Sequence, residues 1–261
     1  MTIGRIASVW RYPVKSMAGE ALDEGYLTFA GVYGDRVHAF HNPAAGDRFP
    51  YLTARNQERM IAYRARFVDP AAAARPVNLA AAEGGIGVTP LFADRAGFAV
   101  EVTSPDGRTW AIDDPGLLAD LKAGLPTDDP VTVIHSPRAL TDCRPLSLFS
   151  NATVRHVARA VDMAPDARRY RANLYADFAD DAAFAENALV GHRLRIGDKA
   201  EVLVLGRDRR CKMITLDPDT GAAEPRLLRW IAREQGGMAG LYCAVLVEGR
   251  VRPGDAIAVV G

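Results

Sequence analysis

Two phrases near the end of the chain constrain its fold more than anything else in it. GHRLRIGDKAEVLVL (191–205) and EGRVRPGDAIAVV (248–260) both run Gly-x-Arg-x-Arg or its near match, then Gly-Asp, then an alternating strand. Gly-Asp supplies the tight turn. Alternation at period two places one face of the following strand inside. Two such turns opening strands of one geometry suit a small, twisted barrel. Most of the remaining sequence reads the same way. IASVWRYPV, ALDEGYLTF, RVHAF, MIAYRARFV, VTVIH, PLSLF, YRANLYADF, EVLVLG and LYCAVLV are strand-like runs, and VEVTSPDGRTWAI reads as a hairpin about Pro-Asp-Gly. The Ala- and Gly-rich stretch from Pro70 to Pro90 is expected to be a strand with loose flanks. Helices are expected in DPGLLADLKAGL, NATVRHVARAVD and PRLLRWIAREQ, where apolar residues recur every three or four positions. The expected class is α+β, mainly β, with a composition shift at LPTDDP dividing the chain into 1–125 and 126–261.

Bulk properties exclude several functions. Lys plus Arg and Asp plus Glu number 32 each, so no global field draws nucleic acid or anionic lipid. No apolar run reaches membrane-spanning length, and MTIGRIASVWRYPVK lacks the plan of a signal peptide. The expectation is a cytoplasmic protein with no nucleic-acid or membrane partner. Three cysteines, Cys143, Cys211 and Cys243, are too few for a disulfide framework or an iron–sulfur cluster. The five histidines show no ligand spacing, and no P-loop, dinucleotide fingerprint, HExxH or GxSxG occurs. DPDTG (217–221) reads as a rigid turn.

Cys211 is different. It stands in RDRRCKMITLDPDTG, flanked by Arg207, Arg209, Arg210 and Lys212. Nearby cations favour a thiolate, which is a nucleophile, a persulfide carrier or a soft metal ligand. Cys243 within LYCAVLV reads as a core residue, as free cysteines commonly are, and Cys143 in TDCRP leans the same way.

An Arg-Cys pair (Arg210-Cys211) followed by the run Thr215 to Gly221 resembles the signature of the MOSC domain family. RYPVKSM, Gly34-Asp35-Arg36, Leu52-Thr53-Ala54-Arg55 and YRAN (170–173) resemble the β-barrel domain that precedes it in the amidoxime-reducing branch. The resemblance implies an N-terminal β-barrel-like domain over 1–125, then a MOSC β-barrel with peripheral helices over 126–261. It also implies a molybdenum cofactor, Mo-molybdopterin, with Cys211 as metal ligand and catalytic residue. Lys15, Ser16, Arg36, Arg55, Arg171, Asn173, Arg210 and Thr215 are the implied cofactor contacts. The implied activity is reduction of small N-hydroxylated or N-oxide substrates. Some relatives carry a C-terminal plant-type ferredoxin domain; no such cysteine cluster occurs here, so electrons are expected from a separate donor protein. The chain departs from the branch's Cys-Ser-Arg-Cys with Asp208-Arg209-Arg210-Cys211, and Ile214 replaces the first of two threonines. Two alternatives stay open. One is a metal-free enzyme using Cys211 for persulfide or carbon–sulfur chemistry independent of pyridoxal phosphate. The other is a non-enzymatic cofactor carrier.

Overall fold

The computed structural model describes residues 1–47, 49–84, 95–125 and 128–260. It is mainly β with four α-helices among the described residues. Seven strands close a barrel: β1 (Thr2–Arg11), β2 (Leu146–Ser150), β3 (Leu174–Phe178), β4 (Arg193–Ile196), β5 (Ala200–Arg209), β6 (Met238–Val247) and β7 (Ala256–Val260). Around the ring the order is β3-β2-β6-β5-β4-β7-β1, and β1 returns to β3. Every pairing is antiparallel except β2 with β3. A parallel pair needs a crossover, which the helix Asn151–Ala160 supplies, with Ser150 as its N-cap accepting from Ala152 N. Leu148, Leu174, Leu194, Val202, Val204, Leu241, Cys243 and Ile257 fill the interior, the alternation that the strand sequences announce.

Both Gly-Asp phrases lie at one end of this barrel. Gly197, at φ +62°, turns β4 into β5, and its N–H donates to Ala256 O at 2.9 Å. A side chain at Gly197 would meet the carboxylate of Asp255, so the two turns pack against each other.

Glu20–Leu22 pairs with β1 beside the ring, and the remaining described strands form three three-stranded sheets. His38–His41 is flanked by Thr132–His135 and Tyr51–Leu52; Gly25–Thr28 by Gly249–Val251 and Gly31–Val32; and Val100–Thr103 by Arg64–Phe67 and Thr109–Ala111. They enclose a second core that includes Tyr33, Phe40, Tyr63, Phe67, Phe98 and Leu117. Sheets are shared across residue 125: β1 belongs to the barrel, while Thr132–His135 and Gly249–Val251 belong to the sheets on the other side. The helices Asn151–Ala160 and Arg226–Gln235 cover the barrel's outside through Val157, Leu227 and Ile231, packed with Tyr170 of the 3-10 turn Ala167–Tyr170.

Two local expectations are corrected. The stretch 70–90 is helical over Leu79–Gly84, in keeping with alanine's helix propensity; its residues 85–90 lie outside the described residues, as do 126–127 of LPTDDP. In YRANLYADF the strand starts only at Leu174. Tyr170 ends a 3-10 turn, and Arg171 is left-handed at φ +54°.

Candidate functional site

Where the end of β5 meets the loops between β1 and residue 55 there is a cavity of ≈ 110 Å³. Lys15, Ser16, Arg36, Arg55, Arg171, Asn173, Arg210 and Cys211 all line it. Thr215 lies beneath, buried, its hydroxyl donating to Lys212 O at 2.8 Å.

The backbone bringing these groups together is strained. Five described non-glycine residues have positive φ, and Ser16 (φ 70°), Arg36 (φ 48°) and Arg171 (φ 54°) are three of them. Left-handed backbone costs a side-chain-bearing residue of order 1–3 kcal/mol and tends to be kept where function repays it. The strain is held by hydrogen bonds. The buried Asp35 carboxylate accepts from Tyr12 N at 2.8 Å and pairs with the Arg36 guanidinium. Arg36 N donates to Tyr12 O at 2.7 Å, locking RYPVKSM against Gly34-Asp35-Arg36. Arg36 also donates to Arg171 O at 3.1 Å, and Arg171 to Met17 O at 2.7 Å.

The floor is positive and partly unsatisfied. Arg171 Nη2 and Arg210 Nε are buried without a hydrogen-bond partner. Buried orphan donors are costly, and burial pushes the Arg171 guanidinium down to about 10, with the neighbouring Arg36 charge adding to the shift. Burial lowers Lys15 as well, against the pull of Asp142. Lys15 Nζ donates to Leu140 O at 2.7 Å and pairs with Asp142, both on the loop 136–145. Burial alone would raise the Asp142 carboxyl; Lys15, Arg36 and Arg55 outweigh it and hold it below the ordinary range. Arg55 stacks on Phe49 at 3.9 Å. Asn173 spends its side chain on the scaffold, accepting from Ser147 N and Oγ at 3.2 Å and donating to Trp10 O at 3.3 Å.

Cys211, half-buried, begins the 3-10 turn Lys212–Thr215 in extended backbone. Its cationic flank is largely engaged elsewhere. Arg207 donates to Gln235 O and Met238 O at the end of the helix Arg226–Gln235. Arg210 pairs with Asp208 and donates to Tyr170 O at 2.6 Å. Lys212 pairs with Glu58 at 2.8 Å and donates to Arg55 O at 3.0 Å. Arg209 alone of the four makes no such side-chain bond among the described residues, and it stands exposed at the cavity rim.

The DPDTG turn braces the wall. Asp217 accepts from Asp219 N, Thr220 N and Thr220 Oγ1 at 3.0–3.1 Å and binds Arg169 at 2.9 Å, while Asp219 binds Arg168 at 2.8 Å. Arg168 and Arg169 immediately precede Tyr170-Arg171, so the turn fixes the segment that carries Arg171. Gly221 (φ +76°) leaves no room for a side chain against Glu58 O.

The sequence does not single out as contacts Asp142, Cys143, Asp208 and Tyr242, which line the wall, or Tyr12, whose ring carries Arg36 and Arg171 without lining the cavity. Tyr242 was hidden inside LYCAVLV. It sits beside Cys243 in a strand, and alternation turns it outward from the barrel while Cys243 faces in, its thiol pushed up to about 12 by burial. Among the described residues no group of three or more His, Cys, Asp and Glu is arranged to hold a metal ion. A metal here would have to arrive on a group bringing most of its own ligands.

The site is thus a cysteine at the end of a closed barrel, beside a basic cavity with orphaned guanidinium donors. The family models give the protein's kind: the MOSC domain matches residues 135–258 and the MOSC N-terminal beta barrel domain residues 3–109. The chain belongs to the MOSC family, in the form that joins these two domains. Among solved structures it is similar to the YUAD protein of Bacillus subtilis (15% identity, TM-score 0.49, covering 98% of this chain and 94% of that one). It is also similar to YiiM from Geobacillus stearothermophilus (18% identity, TM-score 0.37, covering 45% and 55%). No curated protein matches it. Among the described residues no helix is long and apolar enough to cross a membrane.

Proposed function

We propose that the cavity seats a molybdenum cofactor, and that the protein is a molybdenum-dependent oxidoreductase reducing small N-hydroxylated or N-oxide compounds. The observation that carries this reading is the unpaired Arg171 Nη2, held in left-handed backbone at the cavity that also receives Cys211. The residues present fit the group: a soft sulfur from Cys211 and anion donors from Lys15, Ser16, Arg36, Arg55, Arg171 and Arg210. The volume suits a phosphoryl-sized moiety, and Asp142, Cys143, Arg144 and Arg209, which also line the cavity, would meet the rest of the group. When bound, the cofactor supplies the two-electron couple that removes the substrate's oxygen. The chain's own residues bind its phosphate, fix its orientation through the sulfur and keep a polar wall against the substrate. Asn173 and Thr215 serve by holding the wall and the cysteine turn. The setting we assign is cytoplasmic, with a separate electron-donor protein and a small-molecule substrate.

The engagement of Arg207, Arg210 and Lys212 by other partners supports a ligand role for Cys211 over a thiolate activated by free cations. The second thiol at the rim, Cys143, keeps metal-free persulfide chemistry as the alternative. Molybdenum and pterin content separates the two. Wild type from a cofactor-producing host should carry near-stoichiometric molybdenum, and Cys211→Ala should lose it or change its metal spectrum. Metal-free wild type whose Cys211 is readily persulfidated would overturn the molybdenum reading.

A further inference from the structure

The wall of the cavity contains a carboxyl group that the cofactor reading does not use. Asp208 is only 6% exposed and stands near the end of β5, lining the cavity together with Cys211. Tyr242, from the neighbouring strand β6, lines it too and hydrogen-bonds the Asp208 carboxyl. We propose that Asp208 is the proton donor of this cavity, delivering a proton to the oxygen that leaves an N-hydroxylated substrate while Tyr242 holds the carboxyl in place. This rests on the cofactor reading above.

The two other carboxyls nearby, Asp142 and Asp217, are held below the ordinary carboxylate range. Asp142 is held as a carboxylate by Lys15, Arg36 and Arg55. Asp217 is consumed by its own turn and by Arg169. Asp208 is ion-paired with Arg210, just past the end of β5, and faces Tyr242 on β6, Asp142 on the loop 136–145 and Arg36 on the loop after Gly34. Burial is the largest influence and favours the protonated acid, as does the Asp142 charge; Arg210, the Tyr242 hydroxyl and Arg36 oppose it, and the balance is upward. An acid near the operating pH is what proton delivery needs.

The balance is R–NH–OH + 2 H⁺ + 2 e⁻ → R–NH₂ + H₂O. The N–O bond breaks, nitrogen and oxygen each gain a proton, and a reduced electron-donor protein supplies both electrons. Asp208 provides the oxygen's proton and recovers one from solvent at the exposed rim.

The test uses molybdenum-loaded wild type, Asp208→Asn and Asp208→Glu, with reduced viologen as donor and hydroxylamine and an aromatic N-hydroxyamidine as substrates. Asp208→Asn should keep its molybdenum and a KM within about twofold, lose kcat by about 100-fold or more, and lose the alkaline limb of the wild-type kcat profile. Asp208→Glu, which keeps the acid, should retain kcat within about tenfold. Cofactor-free protein gives an independent readout. In an ultraviolet titration, Asp208→Asn should ionise one tyrosine at lower pH than wild type, and Tyr242→Phe should lack that tyrosine. Wild-type kcat and an unchanged alkaline limb in Asp208→Asn, or identical tyrosine titrations, overturn the proposal while the cofactor reading stands. If Asp208→Asn does not fold, loss of kcat in a folded, molybdenum-loaded Asp208→Glu to the level of Cys211→Ala overturns it. A wild type without molybdenum overturns the reading and the proposal with it.

Discussion

The guanidinium of Arg171 lies 4.3 Å from the centre of the Tyr12 ring, and the same ring carries Arg36 at 4.6 Å. One buried aromatic thus holds two like charges side by side. Its own hydroxyl is pushed up to about 12 by burial and donates to Ala172 O at 3.1 Å, in the segment that presents Arg171. The ring face offsets part of the arginines' repulsion, and a bound anion would offset more. The two charges are therefore held together at a cost that a bound anion would relieve.

That cost can be measured at Arg171. Glycine adopts φ +54° freely, whereas alanine does not. Arg171→Gly is expected to be more stable than Arg171→Ala by about 1 kcal/mol in urea unfolding, while both lose inorganic-phosphate affinity by about tenfold or more in calorimetric titration. Equal stability of the two variants would show that the left-handed backbone carries no strain.

Asp142 occupies the cation cluster from within the chain. Neutralising it removes a competing anion, so Asp142→Asn should tighten inorganic phosphate binding by about three- to tenfold, most strongly at low ionic strength. Weaker binding would instead make Asp142 an anchor that keeps Lys15 aimed.

The two arms of the DPDTG brace should differ. Arg169 is buried and Arg168 is not, although both pair with aspartates. Removing Asp217 strands Arg169 and opens the turn, at about 2–4 kcal/mol, or roughly 5–10 °C in Tm for a chain of this size. Arg168 keeps Asp166 when Asp219 is removed, so Asp219→Ala should cost under about 1 kcal/mol. Differential scanning calorimetry on the two alanine variants decides it.

Glu186 gives a pH dependence away from the site. Its carboxylate is 1% exposed and accepts from Thr153 Oγ1 at 2.8 and 2.9 Å. Burial raises it above 4.5 against the pull of that hydroxyl. A folded-state value above the unfolded one means stability present below about pH 4.5 that is lost as pH rises through the folded value. Glu186→Gln should therefore be more stable than wild type at pH 7, with the difference vanishing near pH 4. Parallel urea curves at both pH values would reveal a constant gap if another cause were at work.

Much of this was legible in the residues. EVLVLG and LYCAVLV were legible as strands and Gly-Asp marked the turn from β4 to β5, but runs so nearly continuous in apolar residues do not tell which face of β5 and β6 is inside. The membership of β1 in the barrel was not legible, because Gly4 pairs with Phe178 and Thr2 with Ala258 and nothing local encodes partners so distant. At the site, the cations and the cysteine stood out because charge beside a strand end is conspicuous. Tyr242 did not, since a tyrosine in an apolar strand reads as core, and Asp208 was distinguished from Asp217 by nothing local, both being acids close to the cysteine in sequence. Only the fold turns Asp208 and Tyr242 toward one cavity.

The closure of the barrel through β1 also sets the order of assembly. The first strand made is flanked in the finished ring by strands beginning at Leu174 and Ala256, so during synthesis it emerges long before either neighbour. Until then it is an unpaired edge, open to wrong partners, and the loop to be closed on each side is long. Ring closure is thus a late, slow event, and because Tyr12, Lys15 and Ser16 follow β1 directly, the anion seat forms only when the ring shuts. A nascent chain has no pocket to fill; loading belongs to the finished molecule.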